Sequence, residues 1–354
     1  MRPDFSVAKL TRERDPILKI IWASADKRVF SASKEGAIQI KTIAEHVQDG
    51  ISALSDLQDA LQTAMQLEFA TIPPYLCAQW SINSDPSGVA DMIQNIVIQE
   101  MFHFALAGNI LSAIKGTPKI ANAGFVPGYP TNVLPGGIPQ TLAVDLQPLS
   151  RDQLQIFMQI ENPEFPPVAL RAGPPPATIG AFYDTISTGF TVVNPMIDPN
   201  ANFVDFSPFL STPETVQIKT IADAQSAITT IKTEGEGTQG SPDEPPGDSS
   251  QFAHYYTFKQ IFTGKMLVQT NGKWGFTGTA IQFPTVFPFS QSNVRPDPSA
   301  AFNQTLSQLL KQLEACWTTG ASFDDTLGTM STLQSQGQQL IHQQKIRPEF
   351  LWAA

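Results

Sequence analysis

A glutamate and a histidine interrupt an apolar stretch of this chain, residues 89–114. Glu100 and His103 are three residues apart, so on a helix they share one face. They take two places on a stripe whose other positions are apolar: Val89, Ile93, Ile96, Ala107, Ile110 and Ile114. Because a buried charge is costly unless it is paired or binds a metal, the stretch predicts a core helix with either an ion pair or a pair of metal ligands.

A second predicted helix, residues 51–72, repeats this pattern. Its apolar stripe leads to Glu68 and continues beyond it: Leu54, Leu57, Leu61, Ala64 and Ile72. Tyr75 lies two turns after Glu68 on roughly the same face. Pro73 and Pro74 are expected to kink or end the helix, because proline lacks the backbone N–H that a helix needs. Glu68 is therefore predicted to point towards the same interior as the first pair.

Together the two helices present half of the ligand set of a carboxylate-bridged, two-metal helical bundle. In such bundles two helices each contribute one glutamate, and the two others each contribute a Glu-x-x-His pair. A buried ion pair, or a helical turn that in fact faces solvent, is the alternative interpretation of the same residues. The metal interpretation is favoured because Glu68 was found independently, on the apolar stripe of a different helix. Ionisable residues in an apolar interior are more frequent at functional sites than elsewhere.

The composition of the chain argues against nucleic acid and membranes as partners. There are 22 Lys and Arg against 32 Asp and Glu, the net charge is −10 and no basic run is present, so neither nucleic acid nor a membrane is expected as a partner. No apolar signal region begins the chain, and no run reaches the about eighteen apolar residues of a membrane span. Cys77 and Cys316 are widely separated, which fits a reducing compartment. We expect a cytoplasmic protein with a small-molecule substrate. The sequence leaves open whether the chain forms a homo-oligomer.

The rest of the chain predicts further helices separated by long loops. Residues 1–48 carry no motif and are predicted to be an N-terminal extension, followed by one domain over 49–348. Residues 117–149 predict a long loop, and 238–250 predict a mobile one. Six further helices are predicted, at 150–160, 178–187, 213–234, 250–262, 299–318 and 323–345, and Ser150 is expected to cap the first of them. A hairpin that turns at Asn271-Gly272 is predicted at 266–277.

Four sequence strings stand in the same order as in one known family. They are LEFATIPPYL at 67–76, QEMFHFALAGN at 99–109, EGEG at 234–237 and HYYTF at 254–258. With them, the chain over residues 50–340 resembles the ferritin-like family of the iminophenyl-pyruvate dimer synthases, enzymes of violacein- and rebeccamycin-type pigment biosynthesis. The resemblance implies an all-α, ferritin-like four-helix bundle with long loops, a small β-hairpin, extra C-terminal helices and a buried metal centre.

The resemblance also implies which residues hold the metal: Glu68, Glu100, His103, Glu236 and His254. Glu234 is the alternative to Glu236, because it follows Ile231 by three residues and so lies nearer the apolar face of its helix. The family often places a further carboxylate at the position of Ala181, where this chain has none. Either Glu161 or Glu164 could replace it, or the site could hold a single ion.

These ligands indicate the kind and number of metal ions. Carboxylate and imidazole ligands suit iron or manganese, and the chain has no cysteine cluster that would favour zinc. The predicted cofactor is a transition metal, in the first place iron. The carboxylates of Glu68, Glu100 and Glu236 carry three negative charges, and two divalent ions would leave an excess of one positive charge. One tightly held ion is therefore predicted, and two stay open.

The predicted function follows from the ligands and the resemblance: a metal-dependent oxidative enzyme of secondary metabolism. Its substrate would be a small organic molecule, such as the imine derived from an aromatic amino acid that the resemblance implies. Tyr75 or Tyr255 would gate the site or donate a proton. Two alternatives stay open: a metal-binding protein of the same fold that has lost turnover, and a metal-free enzyme that uses two carboxylates for acid–base chemistry.

Overall fold

Nine α-helices and four short strands form the part of the chain that the computed structural model describes, residues 41–137, 142–162, 178–210, 216–235, 252–292 and 297–354. The helices are α1 (Ile43–Asp49), α2 (Leu54–Trp80), α3 (Val89–Ala113), α4 (Arg151–Ile160), α5 (Ile179–Val193), α6 (Ile221–Gly235), α7 (His254–Thr263), α8 (Ala300–Thr319) and α9 (Asp324–Gln339). The strands are β1 (Ile82–Ser84), β2 (Val268–Thr270), β3 (Lys273–Gly275) and β4 (Thr285–Val286). The predicted all-α class is confirmed.

The helices pack around the residues that were predicted to bind metal. α2 packs along α3, α4 packs against α7, and α5 packs against α6, which also contacts α3 and α7. The C-terminal helices α8 and α9 pack against each other, and they contact α3 and α2, respectively. The helical bundle with extra C-terminal helices is thus as the sequence predicts.

The small hairpin is also confirmed. β2 pairs with β3 in an antiparallel register that places Gln269 opposite Trp274. Asn271 and Gly272 both have a positive φ, 53° and 73°, which the tightest two-residue hairpin turn requires at both positions. A second antiparallel pair joins β1 to β4 across the sequence.

The predicted end of the second helix at residue 72 is wrong, because α2 runs on through two prolines to Trp80. Pro74 has no N–H with which to bond the carbonyl of Ala70, four residues earlier. Tyr129, in the long loop after α3, donates its hydroxyl hydrogen to that carbonyl at 2.6 Å. A contact from a distant part of the chain thus satisfies the freed acceptor, and Tyr75 stays on the helix that carries the predicted ligand.

The predicted core helix around Glu100 and His103 is α3. Asp85 caps its beginning, since its carboxylate accepts hydrogen bonds from the backbone N–H groups of Val89 and Ala90 at 2.9 and 2.7 Å. By length and hydropathy α3 resembles a membrane span, but 78% of its most apolar window is buried within the fold. A buried core helix has the same composition, so this helix is weak evidence for a membrane segment.

Several predicted boundaries differ from the structure. The helix predicted at 178–187 extends as α5 to Val193, and the one predicted from 213 begins as α6 at Ile221. The last helix ends at Gln339 and continues as one π-helical turn, Leu340–Gln344. Ser150 caps α4 as predicted. Residues 1–40 of the predicted extension and the whole of the loop 238–250 lie outside the described residues.

His46 on α1 is fully buried against Phe182 of α5, with the ring centroids 5.8 Å apart. Neither ring nitrogen of His46 has a hydrogen-bond partner among the described residues. Burial lowers the pKa of this imidazole, and the nearby charge of Lys41 lowers it further, against a smaller opposing effect of Asp59 and Asp56. His46 is therefore held neutral in the folded chain.

Replacing His46 with phenylalanine is expected to reduce the loss of stability in mild acid. The unfolded chain binds a proton at this histidine more readily than the folded chain does, so the free energy of unfolding falls as the pH drops below about 6.5. The substitution removes this contribution and keeps a ring against α5. Urea unfolding of both proteins between about pH 5 and pH 7.5 measures the difference. Parallel stability profiles would contradict this account of His46.

Candidate metal centre

Within the described part of the chain, six ionisable side chains from five helices meet inside the bundle. They are Glu68 on α2, Glu100 and His103 on α3, Glu161 directly after α4, Glu234 on α6 and His254 at the start of α7. Five of them are at most 6% exposed, and the side chain of Glu234 is 16% exposed. Four carboxylates and two imidazoles at this depth need compensation of their charge.

Their ligand atoms fall into two groups that share one residue. The first group is Glu68, Glu100 and His103, and the second is Glu100, Glu161 and His254. Within each group, one ligand atom from each residue lies within 4.8 Å of the others, so each group could hold a metal ion. Glu100 belongs to both, which is the position of a bridging carboxylate in two-metal bundles.

His103 lies between two carboxylates. Its Nε2 is 2.9 Å from Glu234 Oε2, at hydrogen-bond distance, and its Nδ1 is 3.5 Å from Glu68 Oε2. Glu68 and Glu234 therefore approach opposite sides of one imidazole ring. The His103 side of the cluster consequently includes three carboxylates: those of Glu68 and Glu234 and the shared one of Glu100.

His254 occupies the corresponding place on the other side. Its Nδ1 is 2.7 Å from Glu100 Oε1 and 3.5 Å from Glu161 Oε2. Burial lowers the pKa of His254, but the contacts with Glu100 and Glu161 outweigh it and raise the pKa well above its ordinary value. Its Nε2 has no hydrogen-bond partner within the part of the chain that the structure describes, although the ring is fully buried. A buried imidazole in this state is costly unless another group, such as a metal ion, engages it. The rings of His103 and His254 are stacked with centroids 5.7 Å apart.

Three hydroxyl groups hold the carboxylates in place. Tyr183 on α5 donates a short hydrogen bond to Glu68, and Tyr75 on α2 donates one to Glu161. Thr71 donates to Glu100 Oε2 at 2.7 Å. Such outer partners orient the ligands of a metal site and stabilise their charge.

Burial and neighbouring charges shift the pKa values of the cluster. Burial, together with the charge of Glu161, raises the pKa of Glu100 to about 7. For His103, burial lowers the pKa, but the hydrogen bonds to Glu234 and Glu68 outweigh it and raise the pKa to about 10. Burial and the charge of Glu161 raise the pKa of Tyr75 well above its ordinary value, which keeps its hydroxyl protonated as a donor. Protons thus supply part of the positive charge that the carboxylates require.

The cluster surrounds a small space of about 20 Å³, bordered by Glu68, Glu100, His103, Glu161 and Tyr183. A space of this size holds about one water molecule, so it also suits a metal ion. The donors are oxygen and imidazole nitrogen only, the set that iron and manganese share. The residues therefore fit a buried metal site in charge, donor chemistry and size.

The structure brings together four of the five predicted ligands, Glu68, Glu100, His103 and His254. The fifth, Glu236, lies outside the described residues, as does Glu164. Glu234, the alternative to Glu236, is in the cluster. Glu161 supplies the carboxylate that Ala181 lacks.

The count of three carboxylates, on which the prediction of one ion rested, is therefore too low. Glu161 and Glu234 join Glu68 and Glu100, which makes four carboxylates among the residues that the structure describes. Glu161 directly follows α4 and Glu234 is the last residue but one of α6, and helix boundaries are the least certain part of a prediction from sequence. Four carboxylates balance two divalent ions, so the charge argument against a second ion no longer holds.

Of the two tyrosines that were predicted to take part in the site, Tyr75 and Tyr255, only Tyr75 contacts the cluster. Tyr255 instead stacks edge-on against Tyr256 and accepts a hydrogen bond from Lys259 at 3.1 Å. Tyr183 on α5 also contacts the cluster, through Glu68. Its position two residues after Ala181 is the one signal that could have identified it.

This fold and cluster define a class of protein. The family model described as ferritin-like matches residues 61–263, more than half of the chain, and all six residues of the cluster lie within that match. The chain belongs to the ferritin-like family. No curated protein sequence matches it.

A solved structure supports the fold. A ferritin-like protein from Caulobacter vibrioides, determined at 1.95 Å resolution, superposes with a TM-score of 0.63 at 20% sequence identity. The match covers 85% of this chain and 99% of that protein. At this identity the similarity concerns the arrangement of helices and carries no information about activity.

Proposed function

We propose that this chain holds two divalent iron ions and uses them to oxidise a small organic molecule with dioxygen. The observation that supports this proposal best is the buried set of four carboxylates and two histidines, with Glu100 common to both halves. The same composition is typical of the two-metal centres of ferritin-like bundles. Iron in such a site supplies redox chemistry with dioxygen when bound.

The contacts suggest how the ligands divide between the two ions. Glu68, His103 and Glu234 would hold one ion, since both carboxylates flank the same imidazole. Glu161 and His254 would hold the other, and Glu100 would contact both. Four negative charges would then neutralise two divalent cations, so the metal-loaded interior would carry little net charge.

The chain itself would orient the ligands and keep water away. Tyr183, Tyr75 and Thr71 each donate to one carboxylate and so limit the directions in which its second oxygen can point. Apolar side chains complete the wall of the small space: Leu67, Ile160, Ile179 and Ile231. A dry site strengthens electrostatic interactions with a bound ion and protects reactive species from side reactions.

The proposed reaction is the oxidative coupling of an imine derived from an aromatic amino acid. Its support is the resemblance of the strings at 67–76, 99–109, 234–237 and 254–258 to the iminophenyl-pyruvate dimer synthases. Coupling two such molecules forms one bond between them and removes two hydrogen atoms, which dioxygen would accept to give hydrogen peroxide. Tyr75 and Tyr183 each donate a hydrogen bond to a ligand carboxylate, Glu161 and Glu68 respectively, and Tyr75 would be the one that exchanges a proton, as the sequence predicts.

A metal-binding protein without turnover is the second candidate. It is favoured by the size of the space beside the ligands, about 20 Å³ within the described residues, which does not accommodate an aromatic molecule. Such a protein would bind and oxidise iron once per site without converting an organic substrate.

An experiment with matched proteins separates the two candidates. The chain is loaded with Fe(II) without oxygen and then exposed to air together with the imine of phenylpyruvate, generated in place by an amino-acid oxidase with catalase present. Mass spectrometry should detect a coupled product with two hydrogen atoms fewer than two monomers, in amounts exceeding the iron pairs present. Glu100→Gln should give none.

The other outcomes are equally informative. Iron oxidation that stops at one turnover, without coupled product, would support the non-catalytic candidate. A chain that fails to bind Fe(II) would overturn the proposed function altogether.

A further inference from the structure

A second and much larger cavity, about 410 Å³, lies between α2, α3, α8 and α9. α2 contributes Phe69, Ile72 and Leu76, and α3 contributes Met101 and Phe104. The remaining wall comes chiefly from the C-terminal helices: Leu306, Leu309, Leu310, Leu313 and Trp317 of α8, and Leu327, Met330 and Leu333 of α9. The C-terminal helices thus do not simply cover the bundle but leave an open cavity between themselves and α2 and α3.

This cavity is separate from the metal centre. Phe69 follows Glu68 directly, and Phe104 follows His103 directly, and consecutive helical residues point about 100° apart. The residues of the cluster and the residues of the cavity therefore occupy different faces of α2 and α3. Among the described residues, none borders both the large cavity and the small space at the cluster.

The walls of the cavity are apolar and carry no charge. Among the described residues that line it, none is Asp, Glu, Lys, Arg or His. The polar side chains in the lining are neutral: Gln94, Ser331 and Gln334, of which the last two are exposed. Trp80 also lines the cavity, and its buried indole N–H has no hydrogen-bond partner among the described residues. An uncharged acceptor on a ligand would satisfy that donor.

The volume is too large for a packing defect. Protein interiors are packed about as densely as organic crystals, and voids larger than a water molecule are few. An apolar cavity of about 150 Å³ binds benzene, so this one has room for about two to three such rings. It also falls within the range of small-molecule sites, about 300–1,000 Å³.

We propose that the cavity between α2, α3, α8 and α9 is a binding site for a neutral, largely apolar small molecule of two to three rings or equivalent size. A charged ligand would be disfavoured, since no lining side chain could compensate the charge it brings into the apolar space. The proposal does not depend on the metal centre, because the two sites use different faces of the helices.

A pair of probes with the same skeleton tests the chemical class. N-phenyl-1-naphthylamine is neutral and has three rings, and its 8-sulfonate adds one negative charge. Titration of the full chain, followed by probe emission and by energy transfer from tryptophan, should show one saturable site for the neutral probe. The sulfonate should bind at least about tenfold more weakly, because its charge cannot be paired in the cavity.

Two substitutions with matched controls test the location. Ala105→Leu fills part of the cavity from α3, and Met330→Glu places a charge at its half-buried edge on α9. Each should weaken binding of the neutral probe at least about tenfold. Ala301→Leu and Thr332→Glu make the same changes at exposed positions of α8 and α9 and should leave binding unchanged.

Three outcomes would overturn the proposal. One is the absence of saturable binding by the neutral probe, and another is equal binding of the sulfonate. The third is a wild-type affinity in both cavity variants, which would place the probe elsewhere. Thermal melting shows whether Ala105→Leu remains folded. If this variant does not fold, the affinity of Met330→Glu for the neutral probe tests the location. Met330 is only partly buried, so its position tolerates a substitution more readily. Since no metal is needed for the titration, failure here leaves the proposed function untouched.

Discussion

Replacing Glu100 with glutamine should reduce the metal content of the chain from two ions to near zero. Glu100 is the residue that both ligand groups share, so its loss removes a ligand from both proposed ions. Glutamine keeps the shape and the hydrogen bond from Thr71 but not the charge, and an ion that loses a carboxylate ligand is bound much more weakly.

Variants of unshared ligands should behave differently. Glu68→Gln and Glu161→Gln each alter only one of the two groups, so each should retain about one ion per chain. Asp91→Asn is the matched control, because it makes the same neutral change at an exposed position of α3. Elemental analysis after loading with Fe(II) and removal of unbound metal measures all four proteins.

Several patterns would contradict this assignment. Full metal content in Glu100→Gln would make Glu100 a structural residue and place the site elsewhere. Equal losses in all three ligand variants would indicate a single ion that they share. A loss in the Asp91→Asn control would show that metal binding responds to charge in general and not to the cluster.

The same substitution should have opposite effects on stability with and without metal. In the presence of chelator, four buried carboxylates are crowded together, and burial raises the pKa of Glu100 to about 7, which shows that its charged form is disfavoured. Glu100→Gln removes one of these charges, so the metal-free variant should be more stable than the metal-free parent chain, on the order of 1 kcal/mol.

With metal present the order should reverse. An ion at a free concentration about 100-fold above its dissociation constant stabilises the folded chain by about 2.7 kcal/mol, provided that it does not bind the unfolded chain. The parent chain should gain this for each ion, and the Glu100→Gln variant should gain little. Denaturant unfolding of both proteins, each with chelator and with Fe(II) under anaerobic conditions, gives the four free energies that are needed.

A purely structural cluster predicts something else. If Glu100 served only to pair with His254, its removal would leave a buried charge without its partner and destabilise the chain under both conditions. Equal destabilisation with and without metal would therefore argue for ion pairs, and the reversal argues for a metal site.

Three of the six residues of the cluster could be predicted from local sequence. In the middle of a long helix, a stripe of apolar residues with a period of 3.6 indicates which way each side chain points. Such positions are occupied by Glu68, Glu100 and His103. Glu161 and Glu234 lie at helix ends, where boundaries are least certain, so the sequence left both as alternatives, although the spacing of Glu234 from Ile231 favoured the apolar face. Their partners are also distant: Tyr75 and Glu161 are 86 residues apart, and His103 and Glu234 are 131 apart.

The sequence by itself determined the two core helices and three buried residues of the cluster, because these depend on interactions within single helices. The class of fold came from the resemblance of sequence strings to a known family. Only the tertiary structure decided that α2 continues past its prolines, since the hydroxyl that replaces the lost hydrogen bond comes from Tyr129, 59 residues away. It also decided the number of carboxylates and the existence of the second cavity. These properties arise where separate segments meet, and a local pattern contains no information about the distance between segments that long loops connect.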